Sequence, residues 1–150
     1  MRKSDPVAAR LRSVLLTLCS ASIAVYISLH AAPLVGQGSV THAARLLRAK
    51  EPFLQTAGAE RLRLLLNASD ALAVQAVEHG CAASLCALLD SEAASVRSAA
   101  AAACEALAAT PAGAGALRVS PRVEALAKLV GGEDGAAKDC AIRASALIFP

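Results

Sequence analysis

The side chains able to do chemistry are few and far apart. Three histidines, His30, His42 and His79, share no local cluster. Glu78 and Glu105 are the nearest thing to a general acid–base pair, in which one carboxyl gives a proton and the other takes one. Acids on the solvated side of a helix leave the same trace, and that plainer reading is preferred. Five cysteines, Cys19, Cys81, Cys86, Cys104 and Cys140, are odd in number and lack the paired C-x-x-C spacing of a zinc site. They read as small buried hydrophobes in a reducing compartment. No phosphate-cradling glycine loop, no H-E-x-x-H and no G-x-S-x-G is present. The expectation is a protein that is not an enzyme and takes no metal, cofactor or small-molecule substrate.

The elements behind these residues follow from composition. Of 150 residues, 38 are Ala and 22 are Leu, whereas the aromatics are only Tyr26, Phe53 and Phe149. Strong helix formers dominate and strand formers are scarce, so the expected class is all-α. A net charge of +3 from scattered bases argues against a nucleic-acid partner, which needs clustered Lys/Arg and stacking aromatics.

Residues 1–12 form a basic segment with Arg2, Lys3, Arg10 and Arg12. No Asp, Glu, Lys or Arg then occurs until Arg45, and the apolar run covers 13–35. As a helix those 23 residues reach about 34 Å, enough for a hydrocarbon core of roughly 30 Å. A single transmembrane helix is therefore expected at 13–35, making this a single-pass protein of an organelle or endomembrane. A cleaved targeting segment and a buried helix are the rival readings. Residues 36–57 read as a linker with an amphipathic stretch: Val40, Ala43, Ala44 and Leu47 recur at helical spacing opposite His42, Arg45 and Arg48. That stretch suits either a bilayer surface or the first helix of the downstream domain, and Pro52 is expected to end it.

Downstream, the chain repeats. Shifting 84–107 forward by 41 positions sets Leu85 on Leu126, Leu88 on Leu129, Leu89 on Val130, Ala100 on Ala141, Ala103 on Ala144 and Leu107 on Ile148. Each unit predicts two helices with inward stripes, Cys81, Leu85, Leu88 and Leu89 in one, Val96, Ala99, Ala100, Ala103, Cys104 and Leu107 in the next. A shorter helix over 71–79 precedes them, with Asp70 as N-cap and Gly80 as a left-handed stop. Ser91 is the expected cap of the second stripe's helix, and Ser120-Pro121 the start of the following unit.

The stretch "EHGCAASLCALLDSEAASVRSAAAAACEALA" over 78–108 resembles the armadillo repeat, through Gly80, Leu85, Leu88, Leu89, Val96, Ala100, Ala103, Leu107 and Ala108. About two and a half degenerate repeats are covered, residues 58–149. The resemblance implies a short α-solenoid over 58–150 and a non-enzymatic role in protein–protein interaction. It implies a partner groove along the last helix of each repeat, where armadillo proteins hold a peptide with a row of asparagines. Here the matching positions are Asn67, Ala106 and Leu147, so the row survives once. Polar candidates on the same helices are Arg97, Glu105, Lys138 and Arg143. Ile148 and Phe149 are expected to form an exposed apolar end. The combined expectation is a membrane-anchored armadillo-like scaffold with a protein partner. An accessory subunit of an organelle membrane complex and an imported soluble protein with a cleaved leader are the alternatives.

Overall fold

Alanine has the highest intrinsic helix propensity, and the alanine-rich chain is cut into short rods by breaks, most of which contain or adjoin a proline or glycine, while those at Ser69 and at 89–93 have neither. The structure, a computed structural model, describes residues 38–150. The basic segment 1–12, the expected span 13–35, Cys19 and His30 lie outside the described residues. Eight helices and no strand occur among the described residues: α1 Gly38–Leu47, α2 Pro52–Ala68, α3 Asp70–Glu78, α4 Cys81–Leu88, α5 Ala94–Ala108, α6 Pro111–Arg118, α7 Glu124–Val130 and α8 Gly135–Ile148. All belong to one unit, Val35–Pro150. The expectation of an all-α chain holds for them.

Residues 36–57 are not a linker from Gly38 onward. They hold α1 and the start of α2, so the boundary expected at residue 58 falls inside a helix. The stretch expected to end at Pro52 stops at Leu47, and Pro52 also opens α2, because a proline at the first helical position lacks only a donor that has no partner there anyway. The apolar face of α1 is claimed by the protein: Val40, Ala43, Ala44 and Leu47 are buried in the common core. Gly58 lets α1 and α2 close. A Cβ there would meet Leu46 Cβ at 2.7 Å and the Leu47 amide nitrogen at 2.9 Å.

Both predicted stripes point inward. Cys81, Leu85, Leu88 and Leu89 are buried on and just after α4, as are Val96, Ala99, Ala100, Ala103, Cys104 and Leu107 on α5. The long helices pack in series, α2 on α5 and α5 on α8, while α3 and α4 meet α6. The 41-residue offset reappears in the elements: α3 and α6 start at Asp70 and Pro111, α5 and α8 at Ala94 and Gly135.

Local stops and starts agree in part. Gly80 is left-handed, with φ 71°. Ser69, in extended conformation, precedes α3 as its N-cap, and Asp70 is its first helical residue, where a carboxylate suits the positive end of the helix dipole. Ser91 does not cap α5. Its hydroxyl accepts from the Ala93 amide at 3.3 Å and shapes the turn, and the cap position is Ala93. Pro121 lies in a turn ahead of α7, which starts at Glu124. Thr110 is a true cap, accepting from the Gly113 amide at 3.2 Å.

Candidate functional site

Three long helices, α2, α5 and α8, carry every polar residue expected at the groove. Asn67 is exposed in the last turn of α2, and Leu147 is exposed in the last turn of α8. Ala106, the corresponding residue of α5, is partly buried. Lys138 is partly buried on the first turns of α8, its amide held by the Asp134 carbonyl.

Glu105 and Arg143 meet directly. The Arg143 Nε donates to Glu105 Oε1 at 2.6 Å and its Nη2 to Oε2 at 2.9 Å, a two-pronged bridge from α8 to α5. Arg143 Nη2 also lies 3.4 Å from Cys140 Sγ. The guanidinium's hydrogen bonds hold the Glu105 carboxyl below its ordinary value. Burial, followed by the neighbouring carboxylate, pushes the Cys140 thiol up, which works against a nucleophilic role since the thiolate is the reactive form.

Arg97 stands apart from that bridge, two helical turns earlier on α5. Its Nε donates to Asp134 Oδ2 at 2.6 Å, and Nη1 donates to the carbonyls of Ser91 and Glu92 at 2.8 and 2.9 Å. One guanidinium thus ties the turn before α5 to the residue that opens α8. Asp134 follows a polar break in the sequence, and nothing local marked it as a partner. Lys128 and Asp90 make a parallel but exposed link at 3.3 Å.

The expected apolar end is only half as expected. Phe149 is 57% exposed, but Ile148 is fully buried. Ile148 continues the inward stripe of Ala137, Ala141 and Ala144, and its carbonyl accepts from the Arg118 guanidinium, with Nε at 3.1 Å. Its equivalence to Leu107 in the repeat alignment already favoured an inward position. Arg118 gave no signal in the sequence, since an arginine closing a helix some thirty residues away leaves no local trace.

The groups considered for chemistry stay separate. Glu78 is exposed at the end of α3, while Glu105 is committed to Arg143. His42 is exposed on α1; His79 Nε2 lies 3.3 Å from Thr41 Oγ1, and the His79 carbonyl accepts from Arg48 at 2.7 Å. Both contacts pin α1 to the end of α3. Among the described residues, Cys81, Cys86 and Cys104 are buried free thiols. Burial pushes Cys81 up to about 11. Interaction with Cys104 holds the Cys86 thiol below its ordinary value, while Cys86 and burial push Cys104 up. No group of three His, Cys, Asp or Glu side chains among the described residues is placed to hold a metal ion. No single described helix is long and apolar enough to cross a membrane.

No family model, curated protein or solved structure matches the chain.

Proposed function

We propose that the chain is a membrane-anchored, armadillo-like docking module: residues 13–35 fix its location, and the stack of α2, α5 and α8 offers a partner protein a shallow face. The observation that carries this reading is the coincidence of the 41-residue sequence period with the spacing of the helices. Helices α3–α4–α5 and α6–α7–α8 are two short–short–long triplets whose long members start 41 residues apart and pack on each other. A rod set with one uncovered apolar side needs a neighbour, which is why such units repeat and why their outer faces are free to bind. The chemistry of the face supports docking in preference to turnover. Its charged groups, Glu105 and Arg143, neutralise each other and hold no reacting group between them.

The face that remains for a partner is Asn67 on α2 and Leu147 on α8, both exposed. Arg97 is excluded from it because its guanidinium is spent on Asp134, Ser91 and Glu92. The test combines location and capture. Alkaline carbonate extraction of cell membranes should leave the full chain in the pellet with Met1 still present. Cross-linked partners should be lost from the Asn67→Ala, Leu147→Glu variant while its thermal midpoint is unchanged. Release of a chain shortened at its N-terminus overturns the anchor, and an unchanged partner profile in the double variant overturns the face.

A further inference from the structure

The helices α1 and α2 form a hairpin closed by the turn over 48–51, with the Gln55 side chain donating to the Ala49 carbonyl at 2.7 Å. Its loop end is both cationic and aromatic. Arg45, Arg48 and Lys50 are exposed there, opposed by one acid of the same turn, Glu51. Phe53, in the first turn of α2, is 72% exposed and turned away from the buried stripe of Leu62, Leu65 and Leu66. The ring belongs neither to the buried core nor to the partly buried side chains packed against it.

Resting on the anchored reading of residues 13–35, we infer that this loop end docks on an anionic phospholipid bilayer, with Arg45, Arg48 and Lys50 at the headgroups and Phe53 in the interface. Two observations choose a bilayer over a protein. Bases flanking an exposed aromatic are the composition that membrane interfaces hold, since cations snorkel to phosphates while an aromatic ring sits at headgroup level. The tether supplies the second. Only two residues separate Val35, the end of the apolar run, from Gly38, the start of α1, and a gap that short spans about 10 Å at most. A chain anchored through 13–35 therefore holds the start of α1, and the hairpin it belongs to, beside the bilayer at high effective concentration. Arg48 donates to the His79 carbonyl, so it holds the end of α1 in place while lying beside Arg45 and Lys50.

The chain contains no tryptophan, so Phe53→Trp in the full-length protein gives a single reporter at the proposed contact. The variant is reconstituted into phosphatidylcholine vesicles with and without phosphatidylserine. In the anionic vesicles the indole emission should move to shorter wavelength and be quenched by brominated lipid; in neutral vesicles it should stay water-like. Adding Arg45→Gln and Lys50→Gln should weaken docking about 25-fold, at roughly fivefold per lost charge, with helical circular dichroism unchanged. Water-like emission in anionic vesicles overturns the proposal, as does equal emission in both lipids or indifference to the charge removal. Carbonate extraction of the same vesicles reads the anchor separately. A retained chain with a water-like indole overturns the docking alone. A released chain whose indole was quenched beforehand overturns the anchor and leaves the docking standing.

Discussion

Glu105 shows how one side chain links two helices that the sequence keeps 38 positions from its partner. Its carboxyl is held below the ordinary value of 4.5 by hydrogen bonds from Arg143. A depressed folded-state value means the bridge stabilises the fold above the unfolded carboxyl's range and loses that contribution as pH falls through the folded value. Urea unfolding should therefore find Glu105→Gln less stable than the parent at pH 7. The two curves should converge once the pH is well under 4.5. A gap that persists in acid would mean the loss comes from packing and not from charge. Both bridge partners are partly solvated, so the difference is expected to be small. Neither Arg143 as partner nor Asp134 as the acid facing Arg97 was readable in the sequence. Contacts across 37 or 38 residues exist only because the helices lie side by side.

At the scale of the element, glycine separates rods that merely form from rods that pack. Helix α6 holds two glycines with opposite roles. A Cβ on Gly113 would stand 2.0 Å from the Leu107 carbonyl oxygen, a backbone atom of α5, whereas one on Gly115 meets nothing within 4 Å. Gly113→Ala must push α6 off α5 and should cost about 3 kcal/mol or more. Gly115→Ala only gains helix propensity and should stabilise by up to about 1 kcal/mol. Thermal or urea midpoints of the two single variants check this, and equal effects would show that the α5–α6 contact is loose. Composition alone marks both residues as helix weakeners. Their difference lies in what stands opposite, which propensity does not carry. Gly80 is the contrasting case: its left-handed φ was readable, because a helix stop is decided within a few residues.

For the whole molecule, the informative cut is the one the sequence suggests. A chain starting at residue 58 matches the expected repeat boundary, yet it lacks α1 and the opening of α2. It would uncover residues beneath Val40, Ala43, Ala44 and Leu47, which belong to the common core. Such a fragment should melt broadly or not at all by circular dichroism, whereas a fragment starting at residue 38 should unfold cooperatively. Cooperative melting of the shorter fragment would show that α1 is an appendage. A small alanine-rich core has little apolar area to spare, at about 25 cal/mol per Å², so losing one helix matters more here than in a leucine-rich stack.

By itself the amino-acid order determined the helical class of the described chain, the inward stripes of α4 and α5, the glycine stop at Gly80 and the 41-residue period. All of these depend on neighbours within a few turns or on one part of the chain resembling another. Tertiary structure alone decided that Val40 and Leu47 face protein and that Arg97, Arg118 and Arg143 are spent on internal partners. An amphipathic pattern says that one side must leave water but not what covers it. A lone arginine says that a charge is present but not which carbonyl or carboxylate will reach it, and only the packing of distant helices supplies that partner.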